Sequence, residues 1–115
     1  MEMKRVEATV QTDKVGAVSE AIKDITGGFT ILDGDGRGSG RRHTIRSGRG
    51  TGTIEAEYNK VSTISTIVDE SNVEKVLSAM ADAAFTGGSG DGIVTVEDVA
   101  DVYNIASKKR GAEAL

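Results

Sequence analysis

Twice along this chain the spacing of apolar residues changes from every second position to every third or fourth, and then back. That double alternation limits the fold more than any other feature. Residues 4–12 place Val6, Ala8 and Val10 on one side and Arg5, Glu7, Thr9 and Gln11 on the other, the pattern of a half-buried strand. Over 14–25 the period lengthens, and Val15, Val18, Ile22 and Ile25 form one helical stripe. Asp13 is positioned to cap that helix and Gly27-Gly28 to stop it. Phe29-Thr30-Ile31-Leu32 is short, apolar and partly β-branched, so it reads as a strand. Strand character returns over 58–68, where Val61, Ile64, Ile67 and Val68 stand among threonines. Ser71-x-x-Glu74 has the form of a capping box. It opens a second helix with the stripe Val73, Val76, Leu77, Met80 and Ala84. Ile93-Val94-Thr95-Val96 is the last strand. Residues 107–115 read as a polar, frayed tail.

The order is β-α-β-loop-β-α-β. Right-handed crossovers then give an α+β, ferredoxin-like βαββαβ sandwich: an antiparallel four-stranded sheet with both helices on one face. A chain of 115 residues supports one such domain, expected over 1–106. The uncovered sheet face is expected to be polar or to pack against another copy; Val, Ile and Ala on both sides of several strands favour the second.

Composition removes several function classes. There is no cysteine and a single histidine, His43, so thiolate chemistry and His-cluster metal sites are excluded. Four aromatics, Phe29, Tyr58, Phe85 and Tyr103, are thin for stacking bases, which disfavours a single-strand nucleic-acid binder. No apolar run is long enough to span a membrane. The alternating N-terminus lacks the apolar core of a signal peptide, so the cytoplasm is the default expectation. No credible nucleophile–base pair is present, so the chain does not read as an enzyme.

What remains unusual is glycine and where it sits. Of fifteen glycines, nine fall within 27–52 and four within 87–92. The first cluster shares its segment with Arg37, Arg41, Arg42, Arg46 and Arg49 and with no acid between Gly36 and Ile54. The whole chain carries net charge −4, and without those five arginines the remainder holds 9 basic against 18 acidic residues, so an acidic body of net −9 carries a basic loop, suited to an anionic ligand or an acidic partner surface. Asp33 to Gly52 shows no periodicity and reads as a mobile loop. It is not a Rossmann or Walker A element, since no helix follows and no Gly-Lys pair exists. Asp33-x-Asp35 fails as a calcium loop, because Arg37 and Thr44 occupy ligand positions. In the second cluster, Thr86-Gly87-Gly88-Ser89-Gly90-Asp91-Gly92, a helix stop and a turn need about two glycines. The surplus implies close backbone approach to a ligand.

Thr86-Gly87-x-x-Gly90-Asp91-Gly92 entering a strand resembles the B-loop of the PII signal-transduction proteins, the nitrogen regulatory protein P-II family. Met3-Lys4-Arg5-Val6-Glu7-Ala8 is similar to that family's start. Gly34-x-Gly36-Arg37 resembles the base of its T-loop, and Asp98-Val99-Ala100 the segment after its last strand. The resemblance spans about residues 3–106. It implies a homotrimer that binds an adenine nucleotide (ATP, ADP or AMP) in the clefts between subunits. It also implies a T-loop, about 37–57, that docks on a transporter, metabolic enzyme or regulator in nitrogen and carbon metabolism. Carried over by position, Gly34, Gly36 and Arg37 with Gly87, Gly90, Asp91 and Gly92 of the B-loop (about 86–92) would hold phosphates. Thr30, Ser65 and Ile67 would approach the base and ribose. Arg41, Arg42, Arg46 and Arg49 would meet the target protein.

This chain departs from the family at four places. Ile93 follows G-D-G where the family carries Lys. Gly38 follows Arg37 where it carries Gln, which puts Mg2+ and 2-oxoglutarate in doubt. Asn104 and Ala106 stand where two late arginines reach a neighbour's phosphates. Three cationic contacts, at about 1.5–3 kcal/mol each, correspond to several orders of magnitude in ATP affinity. Lys108, Lys109 and Arg110 are candidates to compensate, and ADP or AMP would ask for less charge. The alternative reading is a PII-like oligomer that senses another small anion, or a nucleotide-independent docking module.

Overall fold

The computed structural model describes residues 2–38, 42, 44–46 and 52–115. Arg41, His43 and Arg49 lie outside the described residues. The elements are β1 (Met3–Gln11), α1 (Val15–Ile22), β2 (Thr30–Gly36), β3 (Thr44–Arg46), β4 (Thr53–Glu55), β5 (Asn59–Asp69), α2 (Val73–Ala84) and β6 (Ile93–Val99). Four strands form one sheet in the order β2-β5-β1-β6, with every neighbouring pair antiparallel. This is the ferredoxin-like arrangement that the double alternation requires.

Cross-strand partners share a face, so the register fixes what each side carries. Val6, Ala8, Val10, Ile64 and Val68 point to the helices and bury against Val18, Ile22, Val76, Met80 and Ala84. Val15, Ile25, Val73 and Leu77, the ends of the two stripes, are partly buried against the same core. Ile22, Ile64 and Met80 are wholly buried, each worth about 1.5–3 kcal/mol of transfer free energy. The opposite face is mixed. Thr9 and Thr63 meet hydroxyl to hydroxyl at 3.2 Å, Arg5 lies 4.0 Å from Glu97, and Leu32 is exposed.

Both helix starts differ from expectation. Asp13 makes no cap; the chain enters α1 through a 3-10 turn, Thr12–Lys14, without a side-chain cap bond. The turn is tethered instead by Thr12, whose hydroxyl lies 3.0 Å from that of Ser62. Ser71 is likewise not the cap. Asp69 accepts hydrogen bonds from the Ser71 amide at 3.1 Å and from its hydroxyl, so it caps the 3-10 turn that leads into α2. A carboxylate is the stronger acceptor, and it takes the serine as a donor. These bonds from Ser71 hold the Asp69 carboxyl below its ordinary value.

The loop also begins later than its composition suggests. Asp33-Gly34-Asp35-Gly36 continues β2, paired with Ser62, Val61, Lys60 and Asn59. Two cross-strand bonds replace apolar packing there: Ser62 donates to Asp33 at 2.6 Å and Lys60 to Asp35 at 2.7 Å. Gly36 fits because Val61 lies beneath it, 3.0 Å from where a Cβ would sit. Within 37–57, β3 and β4 pair as a two-stranded ladder, Thr44 opposite Glu55 and Arg46 opposite Thr53. The guanidinium of Arg42 pairs with Glu55 at 2.6 Å.

The C-terminal segment is not frayed. Tyr103 bridges to Arg110, Gly111 N–H donates to Val102 at 3.0 Å, and Ala114 is buried. An ion pair nine residues apart, Asp101 with Arg110, holds the return.

Candidate functional site

The loop after α2 is organised by one carboxylate. Asp91 accepts from the Thr86 amide at 2.6 Å, the Gly87 amide at 2.9 Å and the Thr86 hydroxyl. The Thr86 oxygen in turn accepts from the Gly88 amide at 3.2 Å. The Thr86 bonds, hydroxyl first and then amide, hold the Asp91 carboxyl below its ordinary range. Sequence reasoning set Asp91 among the phosphate contacts; here its charge is spent on the loop's own donors. The amides of Ser89 and Gly90 carry no protein acceptor among the described residues.

Glycine is required at the strand entry. Gly92 has φ +106°, and a Cβ there would lie 2.0 Å from the Thr9 carbonyl oxygen. The loop is thus pressed onto β1. Gln11, at the end of β1, fastens it by donating from Nε2 to the Gly90 carbonyl at 3.0 Å. The Gln11 Oε1 is buried and takes no protein hydrogen bond. Sequence reasoning placed Gln11 only on the outer strand face. The alternation gave its side; the contact with Gly90, far along the chain, had no local signal.

Between this loop and the end of β2 lies a cleft of about 340 Å³. Gly36, Arg37 and Gly38 form one wall, Ser89, Gly90 and Gly92 the other, and Thr9, Gln11 and Ile93 the floor. Four expected residues, Gly36, Arg37, Gly90 and Gly92, are therefore brought together. Gly34 lies in β2 opposite Val61, and Gly87 shapes the loop at φ +91°. Arg37 is the one cation lining this cleft among the described residues. Backbone amides and one guanidinium are donors whose chemistry suits an anion of modest charge.

Thr30, Ser65 and Ile67 gather elsewhere. They line a second cleft of about 460 Å³ with Arg5, Gly27, Gly28, Asn104 and Ala114. The register pairs Thr30 with Ser65 and Arg5 with Ile67. Arg5 is a cation that the sequence reading left unassigned. The two clefts occupy opposite ends of β2, six residues or roughly 20 Å apart. Lys108 and Lys109 line neither cleft, and Arg110 is held by Asp101. Lys60 is engaged by Asp35. Among the described residues no cluster of three metal-ligating side chains occurs, and no helix is long and apolar enough to cross a membrane.

The family model described as Nitrogen regulatory protein P-II matches residues 3–109. The Nitrogen regulatory protein P-II of Azospirillum brasilense is 32% identical over 114 residues, covering 98% of this chain and 100% of its own. Nitrogen regulatory protein P-II 1 of Methanothermobacter thermautotrophicus is 32% identical over 116 residues, covering 98% of this chain and 97% of its own. Among solved structures, Arabidopsis thaliana PII bound to citrate aligns with a TM-score of 0.78 at 26% identity, over 99% of this chain and 92% of that one. The B. subtilis GlnK–ATP complex aligns with a TM-score of 0.77 at 21% identity, over 99% and 98%, a likeness of fold.

Proposed function

The chain belongs to the nitrogen regulatory protein P-II family, whose members are regulatory proteins and not enzymes, and on that premise we propose that it binds an adenine nucleotide between the subunits of a cytoplasmic homotrimer and controls a target protein through residues 37–57. One observation carries this reading. The glycine and Arg37 cluster and the Thr30, Ser65 and Ile67 cluster sit at opposite ends of β2, farther apart than a base is from its own phosphates. One nucleotide meets both chemistries only if each end comes from a different copy. The mixed, uncovered sheet face, with Leu32 and Ile93 exposed, supports packing of copies against one another.

The chemistry of each end supports its share. Amides of Ser89 and Gly90 and the Arg37 guanidinium suit phosphate oxygens. Hydroxyls, bare backbone at Gly27 and Gly28, and the apolar Ile67 suit a base and ribose. The mechanism is a population shift: Arg37 stands at the base of the arginine-rich segment, so a ligand that fixes Arg37 biases how that segment is presented. A segment with five arginines and no acid between Gly36 and Ile54 suits an acidic surface on the target.

The GlnK neighbour's complex is with ATP and the Arabidopsis neighbour's with citrate, so both a nucleotide and a small carboxylate are worth titrating. Calorimetry with ATP, ADP, AMP and citrate tests the reading. Binding of an adenine nucleotide at one per subunit is expected. No nucleotide binding at millimolar concentration, with citrate bound, would replace it by the small-anion reading.

A further inference from the structure

Behind the arginine cleft, the root of the 37–57 segment is held from one side. Cross-strand partners share a face, and successive residues alternate between faces. Gly34 and Gly36, opposite Val61 and Asn59, therefore face the cleft side of the sheet and bring no side chain to pack there. Asp33 and Asp35, opposite Ser62 and Lys60, face the helix side. Glycine and aspartate are depleted in strands and favoured in turns. On local preference alone, this stretch would leave the sheet after Leu32.

A polar row on the helix side keeps it in place. Ser62 pairs with Val10, a core residue, and is itself wholly buried. Its hydroxyl donates to the Asp33 carboxylate at 2.6 Å, which uses its single hydrogen. The Thr12 hydroxyl, 3.0 Å from that of Ser62, is then the donor to it. The row runs from Thr12 through Ser62 to Asp33 and ends on a charge, which strengthens the bonds along it. Lys60 adds a pair with Asp35 at 2.7 Å; both side chains are exposed, so this pair contributes little. Arg37, which lines the cleft, follows Gly36 directly.

We propose that the Thr12–Ser62–Asp33 row is a clasp that holds the root of the segment in the sheet and so aims Arg37, with Asp33 as the positioning residue. Clasped, Gly36 and Arg37 form their wall of the cleft. Released, residues 33–36 revert to the turn that their sequence favours, and Arg37 leaves with them. An anion on Arg37 favours the clasped form, and by linkage the clasped form favours the anion. The anion half of this inference rests on the function proposed above; the clasp half rests on the row alone.

The test combines hydrogen exchange along the full chain with calorimetric titration of inorganic tripolyphosphate. In Asp33→Ala, the protected amides within 33–36 and 59–62 are expected to exchange about tenfold faster. Those within 3–10 and 64–68, which open only with the whole fold, should be unchanged. Tripolyphosphate affinity should fall about fivefold, and saturating tripolyphosphate should slow exchange at 33–36. Asp33→Asn keeps an acceptor for Ser62 and should restore most of both losses. Lys60→Gln should move both readouts the same way by about twofold or less. Unchanged protection of 33–36 in Asp33→Ala, or an equal loss at 64–68, would overturn the clasp. Lost protection with unaltered tripolyphosphate affinity would overturn its part in aiming Arg37, as would exchange at 33–36 that tripolyphosphate does not slow. No tripolyphosphate binding by the unaltered chain would overturn the anion reading instead, and exchange in Asp33→Ala would still decide the clasp.

Discussion

At the scale of single residues, the glycine-rich loop after α2 is shaped by groups whose hydrogen bonds are spent within the protein. Asp91 gathers the Thr86 and Gly87 amides and the Thr86 hydroxyl. Replacing it with Asn leaves one oxygen for three donors, so Asp91→Asn is expected to loosen the loop and weaken nucleotide binding about tenfold, read by titration. The pH response follows from the direction of the shift. The folded Asp91 carboxyl is held below its ordinary 3.8, so its contribution is present above that value and is lost as pH falls through the lower, folded one. The Thr86 and Gly87 amide resonances should therefore hold steady from neutral pH down past 3.8. A transition centred at or above 3.8 would contradict the assignment. Gly92 was legible as a special position, because four glycines around one aspartate exceed what a turn needs. Its particular cause, the Thr9 carbonyl beneath it, was not legible, since that contact joins distant parts of the chain. Gly92→Ala combines that clash with strain at positive φ, and a loss of at least about 2 kcal/mol in denaturant unfolding is expected.

At the scale of elements, periodicity was a sound guide and termini were not. The stripes Val15–Val18–Ile22–Ile25 and Val76–Met80–Ala84 point to the core as spacing requires, because burying apolar surface dominates each element's orientation. The ends are decided by smaller, competing hydrogen bonds. Ser71 looks like a cap in isolation, yet Asp69 two residues earlier claims it. Asp69→Ala should cost about 1 kcal/mol of stability, and Glu74→Ala, which has no capping-box partner, should cost far less; equal losses would restore the capping box. Asp33-Gly34-Asp35-Gly36 reads locally as a turn. It is a strand because Ser62 and Lys60 stand opposite its two aspartates. The tail was misread for the same reason: composition alone suggested fraying, whereas Asn104 and the Asp101–Arg110 pair close it.

At the scale of the whole molecule, the sequence singled out several residues that line the two clefts but not the separation of those clefts. Position along the chain set Thr30 and Arg37 close together; strand geometry sets them at opposite ends of β2. Under the proposed function, that separation turns a list of residues into a claim about assembly, because a nucleotide that meets both ends would draw on two copies. Mixed assembly tests it most directly. Arg37→Glu removes the phosphate end and leaves the base end, while Thr30→Trp fills the base end and leaves the phosphate end. Each variant alone should bind no ADP. Co-assembled at random, about a quarter of the clefts between copies combine two intact ends, and that fraction of wild-type ADP stoichiometry should return with wild-type affinity. Mixtures that bind no more ADP than either variant alone would contradict a site shared between subunits.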